Sequence, residues 1–199
     1  MREYYEARAR EYDDWWLGRN LFAERDRPGW FEETTLLLGT VASLPPARTL
    51  DVACGTGFLT RHLHGEVVGL DQSATMLEVA AAQAPAARFR QGEALELPFE
   101  EGAFDRLFTA HFYGHLEQAE RERFLGEARR VADELVVVDA SSAGSPTREE
   151  WQPRVLNDGS RWEVYKRYFA PEDLLGELGG GRTLLAGAWF VVVSVPLAR

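Results

Sequence analysis

Residues 50–57 read LDVACGTG, a short apolar run that ends in a Gly-x-Gly turn. The run predicts a buried strand, and the glycines allow the backbone to approach a ligand closely. In an open parallel sheet, such a turn lies beside a crevice at the carboxyl ends of the strands. A tight turn without any ligand would explain the same residues, so the pattern needs support from elsewhere in the chain.

That support comes from the ends of the next three strand-like runs. The second run ends in Asp71, and the third ends in the stretch QGEAL, residues 91–95. The fourth run, from residue 104, ends in the polar and aromatic stretch HFY, residues 111–113. Because parallel strands end at the same edge of a sheet, we expect these side chains to line one crevice. The Asp71 carboxylate there can accept hydrogen bonds from both hydroxyls of a ribose.

Strand-like and helical patterns alternate through the middle of the chain. Helical patterns cover 73–83, with a Ser N-cap, and 117–131, while the last two strand-like runs, 182–189 and 190–195, follow each other directly. Alternation favours a parallel sheet with helices on both faces, and the closing pair favours an antiparallel hairpin at one edge. Strand-like runs occur at 49–53, 67–70, 87–91, 104–108 and 135–139. With the hairpin, the prediction is an α/β fold with a seven-stranded, mostly parallel sheet.

The 199 residues are expected to form a single domain with four parts. Residues 1–46 carry two helical patterns, 2–17 and 30–43, and the first has an aromatic stripe. Residues 47–140 form the sheet core, and 171–199 form a last helix and the hairpin. Residues 141–170 are a long connection, and such connections inside a compact domain are usually functional.

Composition excludes several classes of protein. Lys and Arg total 22 against 32 for Asp and Glu, a net charge of −10, which disfavours nucleic-acid partners and basic membrane attachment. Cys54 is alone, so neither an internal disulfide nor a Cys-rich zinc site can form. There is no signal-like or membrane-spanning apolar stretch, so a cytoplasmic protein is expected. No acid cluster has a clear metal-ligand spacing, and His111 and His115 straddle a strand end and a loop, so no metal is predicted.

A dinucleotide-binding turn is the nearest alternative for residues 50–57. Its Gly-x-Gly-x-x-Gly pattern requires a glycine where this chain has Thr60. An acid one turn before the glycines, here Asp51, also opposes a pyrophosphate and suits a cationic ligand. A nicotinamide-dependent oxidoreductase remains an alternative, although a weaker one.

With these motifs, the sequence resembles the class I S-adenosylmethionine-dependent methyltransferases, in particular the small bacterial type-11-like proteins. The resemblance covers residues 49–139 by motif and the rest by the order of elements, and it implies a Rossmann-like fold with S-adenosyl-L-methionine as cofactor. A protein that binds this cofactor without catalysis is a further alternative. The cofactor-binding residues that the resemblance implies, with Tyr5 of a helical lid over residues 1–46, are Tyr5, Asp51, Ala53, Cys54, Gly55, Thr56, Gly57, Asp71, Gln72, Met76, Glu93, Ala94, Leu95 and His111.

The methyl acceptor is expected to be a small molecule. Cytosine C5 methylation needs a cysteine near the fourth strand, and Cys54 lies in the glycine loop. Amino methyltransferases of nucleic acids carry an Asp/Asn-Pro-Pro-aromatic motif where this chain reads TAHFY, residues 109–113. His111 is a candidate catalytic base, although it would serve equally as a wall of the cofactor site. The atom that is methylated and the oligomeric state stay open.

The long connection contains basic and aromatic residues at high density for an acidic chain. Arginine binds carboxylate or phosphate through two parallel hydrogen bonds, and aromatic rings add apolar contact. We therefore predict an anionic acceptor with an apolar or aromatic body, although arginines that only pair with nearby glutamates would explain the same residues. The predicted substrate-contacting residues are Tyr113, His115, Trp151, Arg154, Tyr165 and Arg167, with Arg161 and Lys166 as alternatives to Arg167 for the second cation beside Arg154.

Overall fold

The computed structural model describes residues 2–145 and 147–198. Nine strands lie in those ranges, and seven of them form one sheet. In chain order the strands are β1 (Ala47–Val52), β2 (Gly65–Asp71), β3 (Arg88–Gln91), β4 (Phe104–Ala110), β5 (Ala132–Ala140), β6 (Glu149–Val155), β7 (Arg161–Arg167), β8 (Arg182–Ala186) and β9 (Phe190–Pro196).

Local sequence explains where several helices begin and end. The Ser73 hydroxyl accepts the backbone N–H of Met76 at the start of a helix, and Glu117 and Glu120 form a capping box at the start of another. The last helix starts at Pro171 and ends before Gly179, which is left-handed. The α-helices are α1 (Arg2–Arg8), α2 (Asp14–Leu17), α3 (Trp30–Ala42), α4 (Ala74–Gln83), α5 (Gln118–Val131) and α6 (Pro171–Leu178).

The main sheet has the strand order β3-β2-β1-β4-β5-β9-β8. The first five strands of this order run parallel to one another, whereas β9 is antiparallel to both β5 and β8. The predicted mostly parallel sheet with a closing antiparallel hairpin is therefore confirmed. Strand β1 has β2 on one side and β4 on the other, so the direction of winding reverses there. Such a reversal opens a crevice at the carboxyl ends of the strands.

Each face of the sheet is covered by helices and packs a separate apolar cluster. On one face, Phe124 of α5 and Leu174 of α6 are fully buried with Leu50 and Leu107 of the sheet. On the other face, Leu37 of α3 is fully buried in a cluster that contains Phe108, Val136 and Trp16. The sheet is thus buried on both faces, which is why its central strands are nearly continuous apolar runs.

The N-terminal prediction of a single helix over 2–17 is wrong. The segment breaks into α1, a 3-10 turn at Ala9–Glu11, and α2. Two ends of its aromatic stripe pack on different neighbours: Tyr4 joins a small cluster with residues of β7, whereas Trp16 joins the cluster on α3. A straight helix could not pack Tyr4 against the cluster with β7 and Trp16 against the cluster on α3 at the same time.

Two connections of the chain have defined local structure. A strand that ends in a Gly-x-Gly turn usually leads into a helix, but here the glycine loop is followed by a short 3-10 turn, Thr60–His62. The Thr60 hydroxyl donates to the Asp51 carboxylate at 2.6 Å, and this contact fixes the turn close to β1. The connection 141–170 contains its own two-stranded sheet, in which β6 and β7 pair antiparallel around the turn at 157–159.

Candidate active site

The carboxyl ends of β1, β2, β3 and β4 enclose a cavity of about 180 Å³, called the crevice below. Residues at these four strand ends and residues of the N-terminal segment form its wall. Its wall includes most of the residues expected at the cofactor: Tyr5, Ala53, Gly55, Asp71, Gln72, Met76, Glu93, Ala94, Leu95 and His111. The structure thus brings these residues together around one crevice, and the role of each residue there remains a prediction.

Asp71 is the best-anchored acid of the crevice. Its two carboxylate oxygens accept the backbone N–H groups of Ser73 and Gly55, each at 2.9 Å. Burial raises the pKa of this carboxyl although both hydrogen bonds act against the shift. Each oxygen keeps a further lone pair, so Asp71 can hold the loop and accept two hydroxyl donors at once.

The glycine loop uses its left-handed residues for different purposes. Gly55 has φ 54°, and a Cβ placed on it would meet nothing closer than the Tyr12 ring at 3.9 Å, so it faces open space. Gly57 has φ 75°, and a Cβ there would lie 3.2 Å from Ala80 of α4. Gly57 therefore serves close packing of the loop on α4. Ala53 at the end of β1 also has positive φ, 58°, which is strained for a residue with a side chain.

Asp51, Cys54 and Thr56 lie beside a smaller pocket of about 30 Å³ that adjoins the crevice. Burial raises the pKa of Asp51 to about 7, with the Thr60 hydroxyl as its hydrogen-bond donor. A nearby cation would favour the ionised form of this carboxyl. Burial also raises the pKa of the Cys54 thiol, so this cysteine is a protonated wall residue rather than a nucleophile.

The N-terminal segment, residues 2–17, lies across the crevice. Its Glu6 carboxylate accepts the backbone N–H of Ala74 at 2.8 Å at the start of α4. Asp13 accepts the Thr56 hydroxyl at 2.6 Å and the Gln83 amide at 2.5 Å. These contacts fasten the segment to the glycine loop and to both ends of α4.

A second cavity of about 470 Å³, called the basic cavity below, adjoins the crevice. Tyr12, His111 and His115 line both spaces and mark their junction. Two acids, Asp26 and Glu150, also contribute to the wall. The aromatic part of the wall comprises Tyr12, Trp15, Trp30, Tyr168 and Trp189. The basic groups of the wall are Arg8, Arg25, Arg27, Arg154 and Lys166.

Both junction histidines are neutral at physiological pH. Burial, reinforced by the Lys166 cation, lowers the pKa of His111 and of His115 to about 3. The Nδ1 of His115 donates to the Tyr165 carbonyl at 2.6 Å, which leaves its Nε2 as an acceptor. His111 has φ 51°, and its buried Nε2 has no partner within the described residues. Its ring is enclosed by Trp15, Trp16 and Phe190.

Lys166 is buried and pairs with the fully buried Asp139 at 2.5 Å. Asp139 also accepts the backbone N–H of Gly114 at 2.7 Å, which ties β5 to the turn that carries His115. The ammonium has three donors, and this pair uses one of them. Lys166 can therefore offer hydrogen bonds to a group in the basic cavity while its charge is already balanced.

Arg154 extends from β6 into the same cavity. Its guanidinium donates to the Gln152 side chain, and its Nε is buried without a partner within residues 2–145 and 147–198. Burial lowers the pKa of Arg154, and the nearby Arg8 cation adds to the lowering. A half-buried guanidinium with a buried, unpartnered Nε and no carboxylate beside it is stabilised when an anion balances its charge.

The structure does not bring four of the predicted substrate residues to either cavity wall. Tyr113 is fully buried and its hydroxyl donates to Glu177 at 2.8 Å. Arg167 pairs with the same Glu177 at 3.1 Å. Since β7 alternates its side chains, Lys166 faces inward and its two neighbours face away. Trp151 is 59% exposed and packs on Tyr165, whose hydroxyl donates to Glu149.

Sequence reasoning missed the basic residues at the other end of the basic cavity. Arg27 donates to the Trp15 carbonyl at 2.8 Å and lies over the Trp30 ring at 4.3 Å. The signal was the stretch RDRPG, residues 25–29, a basic turn between two helices in an acidic chain. Arg8 was hidden because it lies within a charged helical pattern typical of a solvated face.

Neither a metal-ligand cluster nor a helix able to span a membrane occurs among the described residues. Within 2–145 and 147–198, no three His, Cys, Asp or Glu side chains group closely enough to hold a metal ion. None of the helices described there has both the length and the hydropathy to cross a membrane.

Known proteins support the assignment of the core. A family model described as a methyltransferase domain matches residues 49–134. A demethylmenaquinone methyltransferase of Thermotoga maritima is 38% identical over 96 residues, 46% of this chain and 41% of that protein. One from Bacillus cereus is 31% identical over 163 residues, 75% of this chain and 62% of that protein. The chain thus spans less than two thirds of the length of these relatives.

Solved structures share the whole architecture. DhpI in complex with SAH superposes with a TM-score of 0.75 at 24% identity, over 99% of this chain and 95% of that one. A Thermotoga maritima protein described as a possible histamine N-methyltransferase gives a TM-score of 0.68 at 19% identity over the full length of both chains. The domain match identifies residues 49–134 as a methyltransferase domain, and the sheet order and the superpositions give the chain the fold of the solved methyltransferases.

Proposed function

We propose that this protein transfers the methyl group of S-adenosylmethionine to a small anionic acceptor with an apolar or aromatic body. The observation that carries the acceptor class is the half-buried Arg154 in a cavity that adjoins the crevice. Its Nε is buried without a hydrogen-bond partner, and no carboxylate among the described residues pairs with it. The chain has ten more acidic than basic residues. The lack of a carboxylate beside Arg154 is therefore not due to a shortage of acidic residues in the chain.

The residues of the crevice fit the cofactor. Asp71 has lone pairs left for the two ribose hydroxyls, and Gly55 leaves the loop backbone open toward the methionine part. Glu93, Ala94 and Leu95 would lie along the adenine, and Asp51 would respond to the positive end of the ligand. When bound, S-adenosylmethionine supplies an electrophilic methyl group on a sulfonium.

The chain's own contribution would be positioning and exclusion of water. The junction of the two cavities is where an acceptor atom would meet the methyl group, and Tyr12, His111 and His115 surround it. Arg154 and Lys166 would hold the anionic part, and the tryptophans would pack against the body. His115 Nε2 can accept a hydrogen bond from the acceptor because its Nδ1 is already engaged.

The names of the relatives suggest a second acceptor class, because demethylmenaquinone is a quinone. The family model ends at residue 134, whereas the hairpin of β6 and β7 that provides Arg154 and Lys166 lies beyond it. Similarity to the relatives within the sheet core therefore supports the identity of the cofactor more than the identity of the methyl acceptor. We place the anionic acceptor first because the basic cavity is built from this chain's own cations.

Two measurements test the proposal. In calorimetric titrations, S-adenosylmethionine and its homocysteine product should bind, and NAD should not; binding of NAD alone would favour an oxidoreductase. Transfer of a labelled methyl group is then measured to phenylphosphonate and benzoate as anions and to menadiol as a neutral quinol. Transfer to menadiol alone would reject the anionic acceptor. Cofactor binding without transfer to any of them, or to a wider panel, would favour a protein that only binds the cofactor.

A further inference from the structure

The N-terminal segment contributes to both cavities at once. Tyr5 and Tyr12 line the crevice, and Arg8, between them in sequence, lines the basic cavity. The segment also reaches the hairpin, where Tyr4 packs with residues of β7 and the Glu11 carboxylate accepts the backbone N–H of Asn157 at 2.9 Å. The element that covers the crevice is therefore also a wall of the neighbouring space.

The Arg8 side chain is held by aromatic neighbours. One Nη donates to the Tyr4 hydroxyl at 2.7 Å, and the guanidinium lies over the Tyr12 ring at 4.7 Å. Within residues 2–145 and 147–198, no carboxylate forms an ion pair with Arg8. Its remaining donors are thus available on the side of the basic cavity.

Arg8 and Arg154 reach the cavity from opposite elements, the N-terminal segment and the hairpin. Their charges repel, since the Arg8 cation contributes to the lowered pKa of Arg154. Two like charges held near one cavity, without a carboxylate paired to either in the described chain, are stabilised when an anion binds between them.

The position of Arg8 depends on how the segment is docked. α1 has seven residues and is too short to be stable alone, so its place is set by side-chain contacts. Glu6 and Asp13 make two of these contacts. Tyr5 and Tyr12 line the crevice, so a ligand there would add further contacts to the segment. When a ligand in the crevice holds the segment in place, Arg8 is already ordered. A second ligand that binds Arg8 then loses less conformational entropy and binds more tightly.

We propose that Arg8 is a binding residue for the anionic group of the acceptor, and that cofactor and acceptor therefore strengthen each other's binding through the N-terminal segment. This inference rests on the proposed function, because it takes the basic cavity as the site of an anionic acceptor. It adds a residue outside the hairpin, and it adds a measurable coupling between the two sites.

The test uses the full chain, S-adenosylhomocysteine as the crevice ligand, and phenylphosphonate as the anionic probe, both followed by calorimetry. In the native protein, saturation with the first ligand should tighten the second at least about fivefold, and by reciprocity the second should tighten the first by the same factor. Arg8→Gln should weaken phenylphosphonate binding about tenfold or more and reduce the coupling factor to nearly one. Its affinity for S-adenosylhomocysteine alone should stay within about twofold.

Matched variants separate charge from packing. Arg10→Gln removes an exposed arginine of the same segment and should change neither affinity nor coupling. Arg8→Lys keeps the charge and should retain part of the coupling. If Arg8→Gln does not fold, Tyr4→Phe removes only the hydroxyl that positions the guanidinium and should still lower the coupling factor.

The outcomes distinguish this inference from the function on which it rests. Phenylphosphonate that binds with equal affinity in the presence and absence of S-adenosylhomocysteine overturns the coupling, and unchanged phenylphosphonate affinity in Arg8→Gln overturns the role of Arg8. Unchanged coupling in Arg8→Gln or Tyr4→Phe shows that any coupling does not pass through Arg8. Each of these results leaves the anionic site at Arg154. No binding of phenylphosphonate to the native protein in either state overturns both.

Discussion

The crevice is built from the ends of adjacent strands, whereas the basic cavity is built from side chains of segments far apart in the sequence. In the crevice, Asp71 holds two backbone N–H groups, and the glycine loop turns back on the sheet. In the basic cavity, the N-terminal segment, the turn at 25–29 and the hairpin each contribute cations. The first site follows from sheet topology, so it tolerates little change. The second depends on the docking of surface elements and can differ between proteins that share the core.

Loss of the Asp71 carboxylate should have the largest effect and be confined to the crevice. On the proposed ribose contact, Asp71→Ala would remove two charge-assisted hydrogen bonds, each about 1.5–3 kcal/mol, so S-adenosylmethionine affinity should fall about a hundredfold or more. Titration calorimetry measures this, with the exposed Glu78→Ala on α4 as control. Equal affinity in both variants would contradict the ribose assignment. Because Asp71 also anchors the loop, thermal unfolding should be measured alongside.

Two arginines of the hairpin, Arg154 in the basic cavity and the exposed Arg161, test whether the basic cavity is a specific anion site. Arg154→Gln should weaken phenylphosphonate binding to the protein loaded with S-adenosylhomocysteine about tenfold or more, because a hydrogen bond to a charged group contributes about 1.5–3 kcal/mol. The exposed Arg161→Gln on β7 should not change it. Cofactor affinity should be unaffected in both. A similar loss of phenylphosphonate affinity in both variants would indicate that the anion responds to the overall positive charge of the hairpin and not to a specific site at Arg154.

The pH dependence of the free energy of unfolding tests the protonation state of Asp51, the buried acid beside the glycine loop. Burial raises the pKa of Asp51 to about 7, so between about pH 7 and 5.5 the folded protein takes up a proton that the unfolded chain does not. Acidification in that range therefore stabilises the native protein through Asp51, by about 1.5 kcal/mol. Both junction histidines act in the opposite direction, because they stay neutral when folded and become protonated when unfolded.

Asp51→Asn should remove only the stabilising contribution. Compared with the native protein, the variant should lose about 1.5 kcal/mol more of its free energy of unfolding between about pH 7 and 5.5. Urea unfolding at the two pH values measures the difference. A native protein and variant with parallel pH dependence would show that Asp51 is ionised in the fold.

The smallest effect is expected from Arg167, which the sequence placed at the acceptor. Its ion pair with Glu177 is partly exposed, and Arg121 pairs with the same carboxylate at 2.6 Å. Arg167→Gln should therefore cost about 0.5–1 kcal/mol of stability, seen as a slightly lower Tm, and leave phenylphosphonate affinity unchanged. A weakened affinity with unchanged Tm would return Arg167 to the acceptor site.

The sheet and the crevice could be predicted because their signals are local. The apolar run before Gly55, and the acids that end the second and third runs, each lie within a few residues of the backbone that they serve. Parallel topology then brings the strand ends together without further information. The β8–β9 pair was equally accessible, since two adjacent strand-like runs with a short link leave few alternatives to a hairpin.

The acceptor wall could not be predicted residue by residue. A strand alternates its faces, so choosing among Arg161, Lys166 and Arg167 for the second cation required knowledge of which face of β7 is inward. Tyr113 follows a strand end, as a site residue would, but the 3-10 turn at Tyr113–His115 directs it into the core. Arg8 became a cavity residue only through the break at Ala9–Glu11, which depends on tertiary contacts of the aromatic stripe.

Lys166 is the single lysine of this chain, and its ammonium lies buried against Asp139 in the wall of the basic cavity. The protein therefore contains one side-chain amine, located at the site of interest. Reaction of that amine with a small acylating reagent, read by peptide mass spectrometry, reports access to the cavity without any mutation or assay of turnover. Compounds that fill the cavity slow that reaction, so one residue allows acceptor candidates to be ranked by competition alone.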